Sequence, residues 1–297
     1  MLLKSLHMKK DFLIGVWFKL LNCLLFPTLI LLMLKSISNI PMMQVFFAQV
    51  FIGAIISLFY LKIINKPIAL KMNRKDFFLY SARAASNLGA MYLWIYALTS
   101  IGINEATALG YTGPLWVVLM ARYILGEKSR GGIFLLLAVN IIGMIIILKP
   151  QYANIHWQGV FASVGAILLW SVYEVICKKQ ASDQHYMLQT FYFMSFSAIL
   201  IFPFIFGSWP EVSSKEIWML LLVATISVSN ITVIFIAYSM VPLTLLAPFG
   251  YSRLIFTVIL TSWIYHEVPN LHVFIGAAVI MLANGYFAYW VKSKEVI

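Results

Sequence analysis

Apolar positions in this chain run in blocks of roughly twenty, and polar positions are confined to the short gaps between them. The blocks lie at residues 12–34, 43–61, 77–98, 103–124, 132–148, 158–177, 187–207, 217–238, 242–264 and 272–291. A helix rises about 1.5 Å per residue, so roughly 20 apolar residues cross a hydrocarbon layer about 30 Å thick. Each block therefore predicts one transmembrane helix, with boundaries good to about four residues. The pattern predicts an all-α membrane protein of ten helices. Pro248 lies inside the ninth block, where it predicts a bend and a freed carbonyl.

Ten such blocks in 297 residues leave connections too short for an extramembrane domain. With 62% of positions hydrophobic and 10% charged, the chain carries more apolar surface than a soluble domain buries. The block beginning at Phe12 exceeds the apolar core of a signal peptide, and no small-residue cleavage site follows it, so it is expected to remain as the first helix.

The net charge of +11 does not imply nucleic acid, because Lys and Arg sit in loops rather than along one polar face. If the N-terminus is cytoplasmic, fifteen Lys and Arg residues fall on that side, against Lys35, Lys149 and Lys215 on the other. This asymmetry predicts a multi-pass protein of the plasma membrane, a bacterial inner membrane, with both termini in the cytoplasm. Cys23 and Cys177 both fall inside predicted helices and read as packing residues.

Gly110-Tyr111-Thr112 recurs as Gly250-Tyr251-Ser252, Glu127 as Glu267 and Ala97 as Ala237, all at a spacing of 140. Gly15-Val16 recurs as Gly159-Val160 and Lys35 as Lys179, at a spacing of 144. The order and offset predict two halves, 1–149 and 150–297. An odd number of helices per half sends the second copy into the membrane from the opposite side, so the halves are expected to be inverted repeats around a central cavity.

The tract ATALGYTGPLWVVLMARYILGEK from Ala106 to Lys128, and its counterpart ending Tyr265-His266-Glu267-Val268, resemble the EamA-type permeases of the drug/metabolite transporter superfamily. The resemblance spans nearly the whole chain, with His266-Glu267 departing from the family's "GE" turn that Gly126-Glu127 keeps. It implies eight helices around a cavity, the fifth and tenth at the periphery, and exchange by alternating access.

Ionisable groups inside a span are costly, about 2.5–3.5 kcal/mol for a central Arg or Lys, so each asks for a reason. Arg253 lies near the middle of the ninth block and reads as a substrate-anion contact, the competing readings being an ion pair with Glu174 or Glu105 and a cap on free carbonyls of a neighbouring helix. Arg83 and Lys19 lie about 10 Å from the cytoplasmic ends of their helices, where wall residue and snorkelling cation both fit. Asn87 and Trp94 share the face of Arg83, and Asn22 shares that of Lys19. Tyr111 and Tyr251, at equivalent places in the two halves, suit a pseudo-symmetric pocket. Glu174 stands four residues before Lys178, an ion-pair spacing; it and Glu105 are the acids placed to take a proton. Asn140 and Asn284 read as helix-bridging residues.

His7, His156, His185, His266 and His272 show no metal-ligand spacing, and no Gly-rich phosphate loop is present. The reading is therefore a cofactor-free secondary carrier, not an enzyme, acting as a monomer or homodimer on a proton or counter-substrate gradient. Its cargo is a small polar metabolite, amino-acid-like or an organic anion or zwitterion such as S-adenosylmethionine. An exporter of drugs or other metabolites is the alternative. A membrane-embedded enzyme would need acids and histidines clustered at one membrane face, and a channel a continuous polar stripe.

Overall fold

The computed structural model describes residues 2–36, 40–66, 72–101, 103–127, 131–148, 156–181, 185–207, 211–265 and 271–293. These are helical, with no strand among them: α1 (Leu2–Ser36), α2 (Met42–Ile63), α3 (Arg74–Ile101), α4 (Ile103–Gly110), α5 (Gly113–Ile124), α6 (Gly131–Leu148), α7 (Trp157–Ala181), α8 (Tyr186–Ile205), α9 (Ser214–Met240), α10 (Leu243–Leu246), α11 (Ser252–Tyr265) and α12 (Leu271–Ser293). The ten blocks reappear in order once α4 joins α5 and α10 joins α11. Seven apolar stretches of the described residues are long enough to cross a membrane unaided.

Two blocks are interrupted rather than bent. The fourth breaks at Tyr111–Thr112, where the Thr112 hydroxyl donates back to the Leu109 carbonyl at 2.7 Å and closes α4. Pro114 then occupies the first turn of α5, where its missing N–H costs no helical bond. The ninth block passes through a 3-10 turn, Ala247–Tyr251, that contains Pro248. The start of α9 is set more locally: Ser213 and Glu216 form a capping box, each satisfying the other's backbone N–H.

The long helices pair across the halves. α1 packs on α9, α3 on α7, α2 on α8 and α6 on α12. On the α1–α9 seam, Gly15 lies against Val241, Lys19 meets Tyr238 and Asn22 meets Asn230, so the two helices run antiparallel. On the α3–α7 seam, Gly159 lies against Ile101 while Arg83 meets Gln180, again antiparallel. A Cβ at 15 would stand 2.4 Å from Val241 and one at 159 would stand 2.6 Å from Ile101, so glycine leaves room at both contacts.

The α6–α12 seam brings backbone against backbone. A Cβ on Gly276 would stand 2.6 Å from the Gly143 carbonyl oxygen, and one on Gly143 would stand 3.1 Å from that of Gly276. Asn140 and Asn284 exchange two hydrogen bonds of 3.2 Å across it. A carbonyl on a helix cannot step aside, so Gly276→Val is expected to destabilise the protein by about 1–3 kcal/mol, seen as a lowered unfolding temperature in detergent.

Candidate functional site

Four helices and two breaks bring polar groups together in an otherwise apolar interior. Position 19 and those three, four and seven residues later share one face of α1, so Lys19, Asn22, Cys23 and Phe26 all point toward α9, the 3-10 turn and the start of α11. The Asn22 amide donates to the Asn230 side-chain oxygen at 2.7 Å, and the Cys23 thiol points at the Phe249 carbonyl at 3.5 Å. Both cysteines are fully buried and unpaired, as packing residues.

Lys19 is 2% exposed, so it does not snorkel. Its ammonium donates to the Tyr238 hydroxyl at 3.3 Å, and that hydroxyl donates to Glu174 at 2.8 Å. One phenol thus bridges a cation from α1 and a carboxylate from α7. The Glu174–Lys178 pairing expected from their spacing does not form. Lys178 instead donates to the carbonyls of Tyr238 and Val241, at the C-terminus of α9. Those carbonyls lack helical partners, and a cation at a helix C-terminus is favoured, which outweighs a local ion pair.

Arg83 also points inward and is fully buried. Its guanidinium lies over the rings of Phe193 and Phe235 at 4.3 Å and Tyr173 at 5.0 Å, and donates to the Gln180 side-chain oxygen at 3.1 Å. No carboxylate contacts it among the described residues, and its Nε has no acceptor. Asn87, half-buried, lies one turn further along α3. Trp94 packs against Gly110, where a Cβ would stand 2.7 Å from the indole, and beside Trp170 at 5.5 Å. The face of α3 that carries Arg83 therefore ends at the break in the fourth block.

The two breaks meet. The rings of Tyr111 and Tyr251 stack with centroids 6.2 Å apart and planes 24° from parallel. Tyr251 is fully buried and its hydroxyl has no partner. Two residues on, Arg253 stands over the Phe26 ring at 4.1 Å, with its Nε buried and likewise without an acceptor. Neither Glu174 nor another described carboxylate pairs with it. The side chain of Glu105 lies outside the described residues.

The end of the bundle beneath Tyr238 is held by residues whose role the sequence did not disclose. The Glu127 carboxylate accepts from the backbone N–H of Leu243 at 2.9 Å and of Thr244 at 2.8 Å, capping α10 from the end of α5. With Lys178 on the preceding carbonyls, the short link from α9 to α10 is held by an acid on its amides and a base on its carbonyls. Glu127→Ala is expected to cost about 1–2 kcal/mol of stability, with Glu127→Gln recovering part of it, measured by thermal unfolding.

This arrangement of broken helices around buried cations is carried on a sequence that matches one family model twice, over residues 13–149 and 157–285. The chain belongs to the EamA-like transporter family.

Its relatives within that setting differ in what they carry. The chain is 25% identical to an S-adenosylmethionine uptake transporter of Rickettsia prowazekii over 84% of each chain. It is 25% identical to the pseudopaline exporter CntI of Pseudomonas aeruginosa, over 91% of this chain and 94% of the relative. A riboflavin transporter of Brucella anthropi is 28% identical, over 84% and 88%. A crystal structure with 18% identity superposes at a TM-score of 0.79, covering 94% of this chain and 98% of the other, and shares its fold. Family and relatives point to a multi-pass membrane transporter of a small molecule rather than to an enzyme.

Within this EamA-like chain, the Gly126-Glu127 turn thus has a physical task at a distance of more than a hundred residues. Gly126 adopts a positive φ of 68°, which a glycine tolerates, and so turns the chain to aim Glu127 at α10. Tyr238, Phe26 and Gln180 carried no signal in the sequence beyond their residue types, and the spacing of Lys178 pointed to Glu174 rather than to the α9 carbonyls it meets. Their partners lie on helices far along the chain.

Proposed function

We propose that the protein is a secondary permease for a small metabolite carrying a negative group, anionic or zwitterionic, that binds between the two broken helices. Arg253 and Tyr251 take the anionic group, Tyr111 stacks against the substrate's flat part, and Lys19 and Arg83 supply positive field. The observation that carries this reading is a pair of buried donors without acceptors two residues apart, Arg253 Nε and the Tyr251 hydroxyl, since protein interiors usually satisfy such groups. An acceptor brought by the substrate completes both.

Charge favours the same class. Away from the helix ends, among the described residues, the buried Lys19 and Arg83 and the half-buried Arg253 face one acid, Glu174, so a negative group offsets the imbalance. In this reading Asn22, Asn87 and Trp94 are wall residues, and Glu174 is the acid within reach of the pathway.

The two halves, 1–149 and 150–297, act as inverted five-helix repeats. Exchanging the halves turns the α1–α9 seam into the α7–α3 seam and maps the α2–α8 and α6–α12 pairs onto themselves, which supports that symmetry. Both termini, and the link from α9 to α10, then face the cytoplasm, in line with the loop charges. The two repeats rock about the substrate to expose it alternately, without a cofactor, driven by a proton or counter-substrate gradient in a bacterial inner membrane.

The test is counterflow. Purified protein in liposomes is loaded with one labelled metabolite at a time from sets of dicarboxylates, amino acids, sulfonium and flavin compounds, and exchange against the unlabelled compound is followed. Exchange confined to metabolites that bear a carboxylate or phosphate supports the reading. Exchange of purely cationic drugs alone would sink it.

A further inference from the structure

The repeats place two closures at opposite ends of the pathway, and these closures are built from different chemistry. At the α9–α10 end, Gly15 abuts Val241, and just beside it Lys19, Tyr238 and Glu174 are bonded in a row. At the α3–α4 end, Gly159 abuts Ile101 in the equivalent crossing. Shifting by the repeat offsets of 140 and 144, the counterpart of Tyr238 is Leu98, that of Lys19 is Ser163 and that of Glu174 is Ile30. The region around that second crossing is an apolar cluster of Ala97, Ala106 and Ala162 packed by Leu93, Trp94, Leu98 and Ile101. The Ser163 hydroxyl there is buried without a partner.

We propose that Tyr238 is the positioning residue of a charge-fastened gate at the α9–α10 end, opposed by an apolar gate at the α3–α4 end. This rests on the inverted-repeat permease reading above. The fastening joins the two halves, because Lys19 belongs to the first and both Tyr238 and Glu174 to the second. It is also displaceable. An ammonium has three donors, and the bond from Lys19 to Tyr238 is a long one at 3.3 Å. A negative group arriving beside Lys19 competes with the phenol for it, and Tyr238 is then held by Glu174 alone. Substrate arrival therefore loosens the α9–α10 gate directly, while the described residues of the apolar gate carry no charge to exchange for it. Lys178 and Glu127 move with the gate as part of the link, since their bonds are to its backbone.

Cys23, one turn from Lys19 and fully buried, reports on both gates. In the full-length chain carrying Cys177→Ala, Cys23 is the one remaining cysteine. Its rate of modification by a membrane-impermeant methanethiosulfonate is measured from each face, in right-side-out and inside-out vesicles. Tyr238→Phe keeps the ring and removes the bridge, and is expected to raise the rate from the cytoplasmic face about fivefold, the effect of one hydrogen bond on a two-state balance. The rate from the opposite face should fall or stay constant. Glu174→Gln should act in the same direction, and serves if Tyr238→Phe folds poorly. General loosening of the fold would raise both rates together and overturn the proposal, as would rates equal to the background in both variants. If Cys23 of the background reacts from one face only, alternating access fails and the gate with it. If it reacts from both faces and neither variant shifts the balance, the gate proposal alone fails.

Discussion

Arg253→Ala is expected to weaken binding of the exchanged metabolite by about 10- to 150-fold, the loss of one hydrogen bond to a charged group. The expectation follows from the position of the guanidinium: it stacks on Phe26, has a buried Nε without an acceptor, and lies two residues from a tyrosine in the same condition. Arg253→Lys keeps the charge but not the planar fork or the stacking, so it should fall between wild type and Ala. Ligand-induced thermal stabilisation of the purified protein, compared across the three, measures this directly. Equal stabilisation of Arg253→Ala and wild type would remove Arg253 from the site and leave its charge unexplained.

The second large effect concerns Arg83. Arg83→Ala is expected to destabilise the protein by about 2–4 kcal/mol, because it opens a void among Tyr173, Phe193 and Phe235. Arg83→Met fills that void and removes a buried charge that has no carboxylate partner among the described residues, so its unfolding temperature should equal or exceed that of the wild type. Exchange activity should drop in both, since the positive field beside the pathway is gone. If Met proves as damaging to stability as Ala, the guanidinium's contacts with the rings and Gln180, and not the volume, hold that region together.

The fold was largely legible because in lipid the helix is the natural way to satisfy the backbone of an isolated span, and twenty apolar residues announce it. The breaks were legible in part. Pro248 signalled a bend, but nothing local says that the ninth block passes through a 3-10 turn. At the site, the burial of Arg253, Arg83 and Lys19 could be weighed from their depth in the blocks, whereas their partners could not. Tyr238 answers Lys19 across 219 residues and Glu127 answers Leu243 across 116, and no periodicity encodes such pairings. The mispairing of Glu174 with Lys178 shows the same limit. The four-residue rule describes helices in water, where a free carbonyl finds a solvent partner. At the end of α9 the open carbonyls take the lysine instead.

The α6–α12 seam constrains how the molecule can move. Helices whose carbonyl oxygens face each other's glycines, and whose asparagines are doubly bonded, cannot slide by a turn without being prised apart. In the proposed cycle this pair is the axle, and the strokes fall to the other helices, above all to the interrupted blocks, where short segments can tilt without dragging a full-length rod through the bilayer.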